Sequence, residues 1–394
     1  MKNILYLTYD GLTDNLGQSQ ILPYLSKISS LGYNVKIVSF EKTENFERNQ
    51  QKVNDICAEH KIFWNPKKYT KWPPLISTII DLFTLWFTAQ KIIRKDNIDV
   101  IHCRSYITAL IGLRLKKKKK IPFIFDMRGF WADERMEGNI WSENNFIHRY
   151  IYKYFKNKEV DFLRFSDHII SLTEACKGEI LGWKQNIDPA KISVIPCSVD
   201  TTLFKREEEK HTQNEHFELV YLGSLGTWYM LEEMIDFFVC LKRTYPGAKF
   251  RFITKDNNKS IRRIWTGKGL QPVDLIIKGE IREALPKVLQ RANLSIFFIK
   301  PTFSKKASSP TKLGEIISMG IPIICNSGVG DIDGLMNANQ IGCLVEKFDT
   351  SSYQEAVVKF KTMDSNENKI RNVALNNFSL DEAIKSYVKV YNMV

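Results

Sequence analysis

Two short apolar runs joined through a helix restrict this chain's fold more than any other feature. Residues 4–9 read as a strand buried on both faces, and 35–40 as a second strand. Between them lie the turn-rich loop DGLTDNLGQS at 10–19 and a helical stretch from about Gln20 to Ser30, which Gly32 ends. Strand, helix, strand in this order predicts a parallel sheet. Gly17 stands just before the predicted helix, where a backbone can approach a phosphate closely; a plain tight turn is the other reading.

The alternation continues. Residues 98–103 form a strand with His102 and Arg104 at its carboxyl end, the end where open α/β sheets bind ligands. Residues 121–125 form another, followed by DMRGFWADER. That loop crowds Asp126, Arg128, Asp133, Glu134 and Arg135 into ten residues, as a substrate-facing loop or an ion-pair cluster would. Residues 41–72 read as a polar excursion, and 167–172 and 192–195 as two more strands. KREEEKHTQNE at 205–215 has no apolar period and reads as a linker. A second series begins at 219–222, with helices at 231–244 and 281–292 and strands at 249–254, 275–278 and 294–299.

The stretch SSPTKLGEIISMGIPIIC at 308–325 carries the densest chemistry. Ser309 can cap a helix, Pro310 suits its first turn, and Gly320 suits its end. Lys312 and Glu315 lie three apart near the predicted helix N-terminus, where free amides favour an anion. A cation, a carboxylate and open amides are a set that holds phosphate and sugar hydroxyls.

At 394 residues two domains are expected. The net charge is +13, and residues 1–200 carry 30 Lys and Arg against 22 Asp and Glu. This balance suits an anionic partner such as phosphate or a membrane surface, or reflects a lysine-rich proteome. Without a nucleic-acid module or one dense basic stripe, no nucleic acid is expected. Seven scattered cysteines without a C-x-x-C pair read as reduced thiols, with no metal site. The N-terminus has no signal-peptide pattern, so a cytoplasmic protein is expected. The apolar stretch 75–89 is interrupted by Asp81, and the helix 75–95 is expected to pack in a core, with a membrane-lying helix as the alternative. The lysines at 116–120 read as a solvated loop or a contact for anionic lipid. The aromatic and basic helix at 145–165 either packs its rings inward or lies on a membrane.

The chain resembles family 4 of the retaining glycosyltransferases over nearly its whole length. The resemblance rests on the strand–loop–helix–strand at 9–40, IDVIHCRSY, FSDHIISLTEACKGEI, ISVIPCSVDTTLF, LVYLGSLG and TKLGEIISMGIPII. It implies a GT-B architecture of two Rossmann-like doubly wound domains facing a central cleft. Residues 1–200 are then the acceptor-side domain and 201–378 the nucleotide-sugar donor domain, with a last helix at 379–394 crossing back. The implied activity is transfer of a sugar from a nucleotide-sugar to a lipid-linked or surface-polysaccharide acceptor. No metal or other cofactor is implied, and the place of work is the inner face of the cell membrane. Glu315 matches the second glutamate of an E-x7-E pattern, which contacts the ribose; the first would fall at Ala307. The Arg and Lys that usually pair the diphosphate are absent from GSLGTWYML, so Lys312, Lys300 or Lys255 is expected to replace them, or the donor is a CMP-activated acidic sugar. Gly223, Ser224, Ser309 and Thr311 complete the expected donor site, and His102, Arg104, Asp126 and Arg128 the catalytic set. Arg104 stands where the family often has its catalytic histidine. A nucleotide-sugar epimerase of the same fold is the alternative chemistry.

Overall fold

The computed structural model describes residues 2–73, 75–206, 216–364 and 366–394. Most of the expected linker, from 207 to 215, lies outside the described residues. The chain divides into two compact units, Met1–Pro196 with Leu380–Val394, and Cys197–Ser379. The divide precedes Cys197 rather than following residue 200 because Val199 is tied to unit two. Its amide donates to Phe378 O at 2.7 Å, and it bridges Ser379.

Unit one begins with β1 (Asn3–Thr8), α1 (Asn15–Gln20), α2 (Leu22–Ser30), β2 (Asn34–Glu41), α3 (Thr43–Glu59) and β3 (Phe63–Lys68). It continues with α4 (Ile76–Lys95), β4 (Val100–Arg104), α5 (Ser105–Lys119), β5 (Phe123–Asp126) and α6 (Trp131–Glu137). Then come α7 (Phe146–Phe165), β6 (His168–Ser171), α8 (Glu174–Gly182) and β7 (Ile192–Val194). All seven strands pair in parallel, in the order β3-β2-β1-β4-β5-β6-β7.

Three expectations fail in this unit. The stretch 41–72 is not an excursion: it supplies α3 and the edge strand β3. Their signal is faint because α3 buries only Val53 and Cys57, and no residue of β3 is fully buried. The lysines after 115 are not a loop. Lys116–Lys119 form the last turn of α5, where cations suit the helix dipole, and Lys120 caps it at φ 60°. Finally, α4 is not a core helix. It buries Ser77, Asp81, Leu85, Ala89 and Ile92, one stripe, and leaves much of its apolar surface exposed. Asp81 does not interrupt that surface, because it points inward and accepts from Tyr9 Oη at 2.7 Å and Thr70 N at 3.2 Å.

Unit two runs β8 (Glu218–Leu222), α9 (Leu231–Thr244), β9 (Lys249–Ile253), α10 (Lys259–Gly267), β10 (Leu275–Ile277) and α11 (Leu285–Leu289). It goes on through β11 (Leu294–Phe297), α12 (Thr311–Ser318), β12 (Ile323–Asn326), α13 (Ile332–Asn339) and β13 (Gly342–Val345). α14 (Thr350–Thr362) and α15 (Glu367–Phe378) close it, and α16 (Leu380–Met393) belongs to unit one. Its parallel sheet has the order β10-β9-β8-β11-β12-β13. The predicted helix 281–292 is shorter: a 3-10 turn at Arg282–Ala284 leads into α11, with Pro286 in its first turn.

Each sheet reverses its strand order once, between β1 and β4 in unit one and between β8 and β11 in unit two. Crossovers on the two sides of such a point leave a crevice at the carboxyl ends of the strands, the usual ligand position in open α/β sheets. In unit one, α16 covers part of the core, with Tyr387 and Tyr391 packed beside Tyr6, Leu25 and Ile28.

Candidate active-site clusters

In unit two the switch point gathers around Lys312. This residue sits in the first turn of α12, where Pro310 is the N-cap and no side chain caps the amides. Ser309, expected as a cap, instead accepts from Cys197 N at 3.1 Å, so its hydroxyl pins the start of the unit. The Lys312 side chain is buried, with 8% of the residue exposed. Its Nζ donates to Tyr221 Oη at 2.9 Å and lies 3.4 Å from the ring centre of Tyr229 and 4.1 Å from that of Tyr221. Among the described residues no carboxylate lies within ion-pair distance of it. Burial pushes the Lys312 pKa well below the usual lysine value, against the pull of Glu315 and Asp256.

The loop above this ammonium is Gly223–Gly226. Gly223 has φ +105°, and a Cβ there would lie 3.4 Å from Lys312 Nζ. Glycine therefore permits both the turn and the close approach of backbone to lysine. Tyr221 Oη donates to Ser224 O at 2.6 Å, and Leu225 N donates to Asp256 Oδ2 at 2.6 Å, so the loop is held from both sides. Glu315, one turn along α12, is bonded through Oε1 to Arg282, while Oε2 has no hydrogen bond among the described residues. Burial raises the Glu315 pKa despite Arg282 and Lys312.

The remaining donor-side candidates are spread around the same strand ends. Ser224 follows β8, Lys255 follows β9 and Lys300 follows β11, and all three are exposed. Thr311 opens α12 and is half-buried. Gly17 lies in unit one. It falls inside α1, and a Cβ there would meet Gly11 O at 2.0 Å, so glycine lets the helix pack closely on its own loop.

In unit one the four catalytic candidates do come together. Asp126 ends β5 and is fully buried. Its Oδ2 lies 3.4 Å from His102 Nε2 and 3.7 Å from Arg104 Nη1, and its Oδ1 lies 3.6 Å from Arg128 Nη1. Arg128 reaches back because it adopts φ +59°, a left-handed conformation uncommon outside glycine. Burial works against the Asp126 carboxylate, but Arg128, His102 and Arg104 outweigh it and hold its pKa below the usual range. Arg104 also donates from Nε to Asp10 Oδ2 at 3.0 Å, across the β1/β4 switch point. His102 is fully buried, with Nδ1 2.8 Å from Tyr391 Oη. Burial pushes its pKa down, against Asp126. Both ring nitrogens of His102 are thus engaged, by Tyr391 and Asp126, and Arg128 is the cluster member nearest solvent.

Several of these partners had no signal in the sequence. Arg282, Tyr221 and Tyr229 reach the donor cluster, and Asp10 and Tyr391 the other, over separations that no local pattern encodes. Glu41 was readable as an acid ending an apolar strand. It accepts from Leu12 N at 2.9 Å and Thr13 N at 3.0 Å and so fixes the loop after β1.

Comparison with known proteins agrees with this geometry. The Glycosyltransferase Family 4 model matches residues 24–203. An Escherichia coli protein, UDP-Gal:alpha-D-GlcNAc-diphosphoundecaprenol alpha-1,3-galactosyltransferase, is 22% identical over 401 aligned positions, covering 94% of this chain and 95% of that one. Among solved structures, Anabaena HepE in complex with UDP and glucose superposes with a TM-score of 0.70 at 11% identity, covering 100% of both chains. Sucrose-phosphate synthase from Thermosynechococcus elongatus superposes at 0.72 with 13% identity, covering 100% of this chain and 98% of the other. The structural likeness shows the GT-B fold, and the family 4 match over residues 24–203 together with the near full-length relative marks the chain as a glycosyltransferase.

Proposed function

We propose that this glycosyltransferase moves a hexosyl group from a UDP-sugar to a lipid-linked glycan, with retention of anomeric configuration and without a metal. Its place would be surface-polysaccharide assembly, of the lipopolysaccharide kind, on the cytoplasmic side of the membrane as a peripheral protein. The observation that carries the reading is Lys312, a buried cation with no acid partner among the described residues, set at a helix N-terminus under a glycine loop. An anionic ligand there supplies the missing counter-charge. The relative named above uses UDP-Gal and a diphosphoundecaprenol-linked sugar, which supports the same donor and acceptor classes.

In this reading the donor diphosphate lies at the amides of Thr311 and Lys312, with the lysine charge beneath it. These groups are fixed before reaction, so they stabilise the charge that builds on the leaving phosphate without reorganising. Arg282 holds Glu315 so that Oε2 faces the ribose hydroxyls. In unit one, Asp126 and His102 hold Arg104 and Arg128, and the guanidinium groups meet an anionic acceptor. The acceptor hydroxyl attacks the sugar carbon from the side that the phosphate leaves, and the phosphate oxygen takes its proton.

A donor panel tests this directly. Thermal shifts are measured with UDP-, GDP- and CMP-sugars, and products are then analysed on a short-chain lipid-diphosphate sugar with and without a chelator. The expected result is a shift with a UDP-hexose and a chelator-resistant disaccharide product of retained configuration. An altered sugar still on its nucleotide would indicate an epimerase, and a shift with a CMP-sugar alone would overturn the donor assignment. No shift and no product with any donor would sink the reading.

A further inference from the structure

The outer surface of α4 and α7 has no role in the chemistry above. α4 is twenty residues long and apolar enough to cross a membrane, yet one stripe of it is built into unit one. The opposite stripe, Ile76, Ile79, Ile80, Phe83 and Phe87, is 49% to 66% exposed. These positions follow helical spacing, so they form one continuous apolar ridge. On α7, Phe146, Ile147, Tyr150 and Tyr154 are also exposed. The two ridges belong to one face, because Tyr154 lines the same open groove, of about 510 Å³, as Ile79, Phe83 and Trp86.

Cations border this face. Arg114, Lys117, Lys118 and Lys158 line the groove, and Lys91, Arg94 and Lys95 line a second depression beside Phe87. The Arg114 guanidinium lies 4.5 Å from the Trp86 ring centre and the Lys117 ammonium 4.6 Å from that of Phe165, so these charges stand at the edge of the apolar surface itself. Of these seven, only Lys158 has an ion-pair partner among the described residues, Asp161 at 2.7 Å. The acid of α4, Asp81, is turned inward and cannot repel an anionic surface. An apolar ridge rimmed by cations, most of them without an acid partner among the described residues, matches the boundary of a bilayer, where acyl chains lie beneath phosphate headgroups.

We infer that unit one docks on an anionic lipid bilayer through the α4–α7 face, with Phe83 and Phe87 inserted and the α4 and α5 cations on the headgroups. This gives the peripheral attachment proposed above a definite surface, and it rests on that reading only for its biological purpose. The binding itself is independent of sugar chemistry. The tyrosines and lysines of α7 then flank the insertion, and the helix lies along the surface rather than across it.

The test is sedimentation of the whole protein with phosphatidylglycerol–phosphatidylethanolamine vesicles and with phosphatidylcholine vesicles, at low and high salt and without donor. Wild type should pellet with the anionic vesicles, less so at high salt, and stay soluble with the neutral ones. The Phe83→Glu, Phe87→Glu double variant should bind at least about tenfold more weakly, and so should Lys117→Glu, Lys118→Glu. Both should transfer sugar to a short-chain soluble acceptor as wild type does. Wild type that stays soluble, or variants that pellet equally, would overturn the docking even if transfer is intact. A wild-type dimer that the Phe83→Glu, Phe87→Glu variant splits, with no vesicle binding, would make the face a protein interface and overturn it too. Vesicle binding without transfer on any acceptor would leave the docking standing and refute the transferase assignment instead.

Discussion

Each unit buries cations at the carboxyl end of a parallel sheet, and the two neutralise them differently. In unit one, Arg104 and Arg128 flank Asp126, His102 braces the carboxylate, and Asp10 takes the outer edge of Arg104. In unit two, Glu315 is engaged by Arg282, and Lys312 is left with two tyrosine rings and a phenol oxygen. Aromatic faces attract a cation by about 0.5–2 kcal/mol, far less than full desolvation of the charge costs. Lys312 therefore remains in need of an anion, whereas the arginines already have one. The first cluster carries its own counter-charge; the second, in the function proposed above, takes it from the ligand.

The largest expected effect separates the two in stability. Asp126→Ala takes the shared carboxylate from Arg104 and Arg128 and leaves Arg104 with Asp10 alone, and it should lower unit stability by about 3 kcal/mol in urea titrations. The pH dependence has a definite sign. Asp126 is held below the usual 3.8 in the folded protein, so the unfolded chain binds more protons between that value and the depressed one. Its stabilisation is present above the unfolded value and is lost as pH falls through the folded one. Asp126→Asn should flatten that acid limb. Lys312→Met should do the opposite: it removes a buried charge without an acid partner, so stability should hold or rise while UDP-sugar affinity falls by about 1.5–3 kcal/mol. A loss of stability in Lys312→Met comparable to Asp126→Ala would remove the distinction between the clusters.

How much of this was legible in the sequence follows from what each residue depends on. The strands, the parallel sheets and the placing of His102, Arg104 and Asp126 at strand ends were readable, because apolar runs and turn residues encode them locally. Lys312 and Glu315 were readable for the same reason, being three apart on one short helix. The aromatic cage was not. Tyr229 reads as one more ring in GSLGTWYML, and only the fold brings it onto a lysine 83 positions away, within 3.4 Å. The α4 face was misread because composition reports that a helix is apolar, not which side its unit covers. The inward turn of Asp81 reversed the apparent break in that surface. Gly17 shows the same limit: a glycine ahead of a helix serves a ligand or its own loop equally well in sequence, and only the fold shows the 2.0 Å approach to Gly11 O that a Cβ would meet.

A smaller effect sharpens the role of Glu315. Its Oε1 is committed to Arg282, so Glu315→Ala removes the free Oε2 from the nucleotide and leaves a guanidinium unpaired. UDP-sugar affinity should fall by about 1–2 kcal/mol, and UDP and UDP-sugar should suffer alike, since both carry the ribose. Isothermal titration with both ligands measures this. A loss confined to the UDP-sugar would place Glu315 on the hexose instead.

The smallest expected effect is a fraction of a proton, and it bears most directly on why Lys312 is caged. Burial holds its free-state pKa well below 10.5, so above that lowered value some of the free protein carries a neutral amine. A diphosphate beside Nζ favours the ammonium and raises the pKa in the complex. Binding must then take up protons between the two values, and affinity must weaken as pH rises through that window, by at most about tenfold per pH unit for one site. Titration calorimetry in buffers of different ionisation enthalpy reads the uptake as a slope. The slope should be positive for wild type and vanish in Lys312→Met, while Asp126→Asn should keep it. A slope that survives Lys312→Met would assign the proton to another group and leave the aromatic cage as packing alone.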